Sequence, residues 1–148
     1  MLKINRQTDY AVRVILLLAK QPVGTRLSTS IIRDEMLIPR VFVHRIVAKL
    51  AAEKLVNTFP GRDGGLCLSR PPGEITLLDV VEAFEGKLCL SDCFEYGNTD
   101  CPFEHNCPVR GRWSRVQLAM ARELASMNFA EMAMESPSST GKKANKKV

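Results

Sequence analysis

The sequence predicts a mainly α fold, a winged helix-turn-helix with a long C-terminal dimerisation helix. Three observations predict it. Apolar residues recur at helical spacing in successive segments between residues 8 and 54. The period then shortens to two extended runs on either side of a Pro- and Gly-rich tip. Finally, an apolar-striped stretch from residue 108 has too little chain behind it to be buried within one molecule, so a second copy is the natural cover.

The elements follow in order. Over residues 8–20, Tyr10, Ala11, Val14, Ile15, Leu17 and Leu18 fall on one helical face, with Thr8 or Asp9 as the cap. Pro22 and Gly24 break the helix. Ser28 precedes a second helix over 29–35. Leu37 and Ile38 form a turn, and Pro39 suits the first turn of a third helix over 40–54, whose inner face is Val43, Ile46, Val47, Leu50 and Ala51. Residues 55–59 read as a strand, 60–65 as a hairpin tip and 66–69 as the return strand. Thr76 caps a helix over 77–84, and 86–107 lacks periodicity and reads as a loop. Pro108 opens one continuous helix to about residue 132. The tail from residue 135 is rich in Ser, Lys and Asn and reads as disordered. The organisation is thus a DNA-binding domain over 1–86, a cysteine loop over 87–107, the dimerisation helix over 108–134 and the tail over 135–148.

At 148 residues, the chain suits one domain and is too short for a doubly wound enzyme with a second domain or for a barrel. No apolar run reaches the roughly 20 residues that cross a bilayer, and no signal-peptide pattern opens the chain, so a cytoplasmic protein without a membrane partner is expected. In that compartment five cysteines point to metal, redox sensing or burial more than to disulfides. No nucleophile–base pair, phosphate loop or Cys-x-x-Cys pair supports an enzyme.

The net charge of +5 is unevenly spread. Residues 1–70 hold 12 Lys/Arg against 5 Asp/Glu, whereas residues 85–107 hold Lys87 against five acidic side chains. A basic half suits a polyanion, most simply nucleic acid. In a helix-turn-helix the second helix enters the major groove, which here presents Arg40, Val41, His44 and Arg45. Arginine forks to guanine, and Val41 suits a thymine methyl. Ser28 and Thr29 sit where a helix start holds a backbone phosphate, and Arg62 at the hairpin tip reaches for the minor groove. For each residue alone, a solvated surface group is the plainer reading; the order of elements carries the argument.

Cys93, Cys101 and Cys107 are separated by seven and five residues. Three thiolates and one further ligand suit a tetrahedral zinc or an iron–sulfur cluster, although the spacing matches neither zinc-ribbon nor ferredoxin motifs; ordinary thiols are the plain alternative. His105 is either a ligand or a bystander. Cys67 reads as buried and structural, and Cys89 is open.

These residues resemble the Rrf2 family of winged-helix transcription regulators over about residues 1–132. The resemblance is carried by Thr8-Asp9-Tyr10-Ala11 with Arg13; by Leu50, Glu53, Lys54, Leu55 and Val56; by Gly61 and Gly64-Gly65; by Ile75 to Val80 with Glu85-Gly86; and by the three cysteines. It implies a homodimer on double-stranded palindromic operator DNA, usually a repressor, with an iron–sulfur cluster, [4Fe-4S] or [2Fe-2S], on Cys93, Cys101 and Cys107. Members sense nitric oxide, iron or cluster status. The fourth-ligand histidine of one branch is replaced here by Arg110. The aspartate of the nitric-oxide-sensing branch, given by the other subunit, matches Asp9. The cysteine spacing resembles that of an iron-responsive rhizobial member. A cluster-free member answering to cysteine oxidation or a small ligand is the alternative. Two departures stand out: Pro60-Gly61 replaces the usual Arg-Gly of the wing, with Arg62 as the substitute cation, and Leu66 stands where the family has tyrosine.

Overall fold

The computed structural model describes residues 3–94 and 101–135. The elements are α1 (Arg6–Ala19), α2 (Thr29–Glu35), α3 (Arg40–Ala52), β1 (Val56–Phe59), β2 (Gly65–Leu68), α4 (Leu77–Glu85), α5 (Arg110–Ser126) and α6 (Phe129–Met134), with 3₁₀ turns at Pro72–Glu74 and Asp92–Phe94. A mainly helical winged helix-turn-helix is what the sequence predicts.

α1 is the pillar of the core. Its Ala11, Val14 and Ile15 are fully buried against Ile32 of α2, Val43, Ile46 and Leu50 of α3, Val80 of α4 and Phe129 of α6. The helix begins earlier than predicted. Asn5, not Thr8 or Asp9, is the cap, its side chain accepting from Thr8 N at 2.9 Å. Thr8 is drawn elsewhere: its buried hydroxyl donates to Glu85 Oε1 at 2.5 Å, and the same oxygen accepts from Asn5 N at 2.9 Å. The start of α1 is thereby bolted to the end of α4.

α2 and α3 both end in Schellman motifs without glycine. Ile38 N donates to Arg33 O at 3.0 Å, and Leu55 N to Leu50 O at 2.9 Å. Leu37 (φ +52°) and Lys54 (φ +56°) take the left-handed position between. The residues that follow, Ile38 and Leu55, are buried and supply the apolar contact of each motif. Lys54 therefore lies outside α3, which stops at Ala52 rather than running to 54. Pro39 is the N-cap of α3 rather than a first-turn residue, its carbonyl accepting from Phe42 N at 2.9 Å.

The wing is an antiparallel pair with Val56 opposite Leu68 and Phe59 opposite Gly65. Leu27 joins it by a reciprocal bridge to Leu66, at 3.0 and 2.9 Å. A Cβ on Gly65 (φ +130°) would lie 2.6 Å from Leu27 O, and one on Gly64 would strike Phe59 O, so both glycines are required by close backbone approach. Leu66 is buried. Thr76 caps α4 as predicted, in a capping box with Asp79.

The C-terminal region departs most from expectation. α5 starts at Arg110, after Pro108, and ends at Ser126. The chain then turns so that Leu77 N donates to Met127 O at 2.8 Å and Phe129 N to Ile75 O at 3.0 Å. Asn128 caps a separate helix, α6, accepting from Glu131 N at 3.0 Å. Phe129, within the stretch predicted to be one continuous apolar-striped helix, is fully buried. Of the tail expected to be disordered, all but Glu135 lies outside the described residues.

Two predictions follow from these connections. Leu37 is 82% exposed, so its side chain contributes little packing while its backbone bears the left-handed penalty. Leu37→Gly should raise the unfolding free energy by about 0.5–1 kcal/mol, seen as a higher urea midpoint at unchanged slope. Separately, the hydroxyl of Thr8, the N–H of Asn5 and the charge of Lys49 hold the Glu85 carboxyl below its usual range. A lowered carboxyl stabilises the fold above its unfolded value and loses that contribution as pH falls through the folded one. Wild type should therefore exceed Glu85→Gln in stability at pH 7, with the gap closing as urea titrations move below about pH 4.

Candidate DNA interface and cysteine pocket

α3 sorts its residues by turn. Val43, Ile46 and Leu50 point into the core, which leaves Arg40, Val41, His44 and Arg45 exposed together, Val41 at 77%. None of Arg40, Arg45 or Arg62 joins an ion pair among the described residues. Arg33 on α2 does, holding Asp34 at 2.7 and 3.0 Å; these bonds raise the guanidinium's pKa and lower that of the carboxyl. Ser28 caps α2 through Ile31 N at 3.3 Å and shares a 2.9 Å bond with Ser30, so its hydroxyl is engaged locally. Thr29, half-buried, is the first residue of that helix.

Arg62 is exposed at the hairpin tip. Arg26 was not anticipated: its guanidinium stacks 3.6 Å from the ring centroid of Phe59 on β1. That contact stiffens the wing from the side of the Leu27 bridge. Sequence spacing offers no signal for it, because the two residues are paired only by the fold.

The second region is a cavity of about 480 Å³ lined by Cys93, Cys101 and Cys107, together with Asp92, Glu104, Arg110 and Trp113. All five cysteines are free thiols, and all are half-buried. Cys93 Sγ lies 3.4 Å from Ser91 Oγ. The pocket brings together three thiols that sequence leaves seven and five residues apart. Among the described residues, however, no three His, Cys, Asp or Glu side chains stand at metal-holding distance. His105 is exposed and does not line the cavity. Asp9 is exposed on α1, paired with Arg13 at 2.7 Å, and lines a different cavity beside Ile4 and Leu124. Within one chain it is not part of the cysteine site. The donor set suits an iron or iron–sulfur group, since three soft sulfur donors share one half-buried cavity and one further ligand would complete the four.

The loop is tied to the helices. Leu90 N donates to Gln117 Oε1 of α5 at 3.0 Å. Phe84 of α4 lies under Lys49 Nζ of α3 at 5.3 Å, beside the Glu85 link to α1. No residue of α5 is buried, and Val109, Trp113, Val116 and Leu118 are all exposed.

The sequence profile of Rrf2, described as an iron-dependent transcriptional regulator, matches residues 4–135. The chain belongs to the Rrf2 family. It is a DNA-binding transcription regulator, not an enzyme. Protein aau3 of Rhizobium meliloti is 37% identical over 137 residues, covering 92% of this chain and 88% of that protein. The HTH-type transcriptional regulator NsrR of Shouchella clausii is 30% identical over 110 residues, 74% of each chain. Among solved structures, CymR, the global cysteine regulator of B. subtilis, superposes with a TM-score of 0.72 at 25% identity, covering 90% of this chain and 97% of that one. T. potens IscR gives 0.68 at 23%, covering 88% and 85%, a likeness of fold. Among the described residues of this Rrf2 chain, no helix is long and apolar enough to cross a membrane.

Proposed function

We propose that this chain is a cytoplasmic, homodimeric, iron–sulfur-dependent repressor whose operator binding changes when the cluster is nitrosylated, oxidised or lost. The observation that carries this reading is the gathering of Cys93, Cys101 and Cys107 around one cavity. The family description as iron-dependent and the likeness to NsrR support it.

Cys93, Cys101 and Cys107 would hold the group, and Asp9 of a second copy would complete its ligands. Bound there, a [4Fe-4S] or [2Fe-2S] cluster supplies iron that nitric oxide, oxygen or iron shortage alters. The protein's own part is transmission. The loop pulls on α5 through Leu90 and Gln117, and α4 carries the displacement to α3 through Phe84 and Lys49 and to α1 through Glu85. On DNA, Arg40, Val41, His44 and Arg45 read the major groove of a palindromic operator. Ser28 and Thr29 serve the phosphate backbone, and Arg62 enters the minor groove. The exposed apolar positions of α5 meet their counterparts in the dimer.

The second reading is a cluster-free regulator answering through cysteine oxidation or a small ligand. It is favoured by the absence of a preassembled metal-holding group among the described residues and by the likeness to CymR.

Anaerobic loading with ferrous iron and sulfide decides between them. Wild type should turn brown with broad visible absorption, Cys93→Ser, Cys101→Ser and Cys107→Ser should stay colourless, and Cys67→Ser should load normally. Asp9→Ala should load but lose its colour faster under nitric oxide. A colourless wild type whose DNA binding responds to peroxide and is restored by thiol supports the second reading.

The DNA side is tested on duplexes that the wild type selects from random sequence. Arg45→Ala should cost about 1–3 kcal/mol of binding and relax the base preference at one position of each half-site. Arg62→Ala should weaken binding most on duplexes with a narrow A·T minor groove beside the half-site and lower the salt slope by about 1 per arginine removed.

A further inference from the structure

Arg110, the first residue of α5, is not used by the mechanism above. It donates to Glu104 O at 3.3 Å, and its guanidinium lies 6.0 Å from the Phe94 ring centroid. It also lines the cavity of the three cysteines. Phe94 directly follows Cys93, and Glu104 sits midway between Cys101 and Cys107. One side chain therefore spans the arm that carries the first thiol and the arm that carries the other two. It is not itself a ligand, because a guanidinium has no free lone pair to give.

Charge points the same way. The cavity lining holds three thiols and the carboxylates of Asp92 and Glu104, and Arg110 is the one basic side chain among the described residues that line it. The placement runs against helix physics. The first turn of α5 has no acidic residue and no side-chain cap, and a cation at a helix start opposes the macrodipole. Negative charge across the cavity offsets that opposition.

We propose that Arg110 is a positioning residue that clasps the two arms of the cysteine loop and balances the charge of a thiolate-bound iron group. The charge-balancing half rests on the iron–sulfur reading; the clasp does not.

The test uses the full chain with Arg110→Met, Arg110→Lys and Arg112→Met. Arg112 is exposed on the same helical turn and does not line the cavity. Trp113 is the single tryptophan and does line it, so its fluorescence reports the clasp in metal-free protein. Arg110→Met should red-shift Trp113 emission and increase its quenching by acrylamide. Arg110→Lys should fall between, and Arg112→Met should match wild type. After anaerobic loading, chelator bleaching of Arg110→Met should run about tenfold faster than wild type, and the cluster's reduction potential should become more negative. Fluorescence and quenching unchanged in both Arg110 variants, with the melting transition intact, overturn the clasp whether or not iron loads. Altered quenching in a chain whose wild type takes up no iron supports the clasp and overturns the iron–sulfur reading. Normal loading with unchanged bleaching and potential overturns the charge-balancing role.

Discussion

Phe129 is fully buried among the side chains of the core, and the backbone around it is pinned to the segment before α4 by the Leu77–Met127 and Phe129–Ile75 hydrogen bonds. Burying a phenylalanine contributes roughly 1.5–3 kcal/mol, which is a strong anchor for a terminal segment. The anchor has a geometric consequence. With the chain fixed at residues 127–129, α5 runs back over α4 with none of its own residues buried. The long helix is held at its far end and left open along its length. The cysteine loop that precedes it is therefore suspended between α4 and the start of α5, where Gln117 and Arg110 reach it.

The helix-turn-helix was legible because its signals are local. Ser28 and Thr76 cap where a short oxygen-bearing side chain precedes an apolar run, and the inner face of α3 follows from spacing alone. What escaped depends on contacts across the chain. Thr8 is a reasonable cap by type, but its hydroxyl is taken by Glu85, 77 residues away, and Asn5 caps a helix that begins at Arg6. The break at Met127 hides within a run that keeps helical apolar spacing, and the hydrogen bonds to Ile75 and Leu77 decide it. One local cue was present: Asn128 followed three residues later by Glu131 is a helix-start pattern. The ends of α2 and α3 were blurred for another reason. Leu37 and Lys54 occupy positions where glycine normally announces a stop, and the buried Ile38 and Leu55 that follow them hold the motif closed.

The site was legible to a similar depth. The exposed set Arg40, Val41, His44 and Arg45 needs only helical periodicity and a basic half to be found. The cysteine trio was visible as residue type and spacing, and the fold adds that the three share a cavity. The roles of Arg26 and Gln117 were not visible, since each acts on a residue far away in sequence, Phe59 and Leu90. Arg110 was visible as a missing histidine and not as a group with contacts of its own.

Trp113 and Val109 belong to two surfaces at once. Both line the cysteine cavity, and both are exposed, Trp113 on α5 and Val109 just before it. A second copy laid along α5 would cover residues that also line the cavity. Asp9 lies in a cavity that also includes Leu124 of α5, so the far end of that helix approaches the first turn of α1. A single helix thus borders the thiols at its start and the carboxylate at its end, at least eleven residues, or about 17 Å, apart along its axis. One chain does not close that gap through α5; in the proposed dimer, Asp9 of a second copy would do so. In the proposed regulator, three ligands belong to one chain and the dimer would bring the fourth.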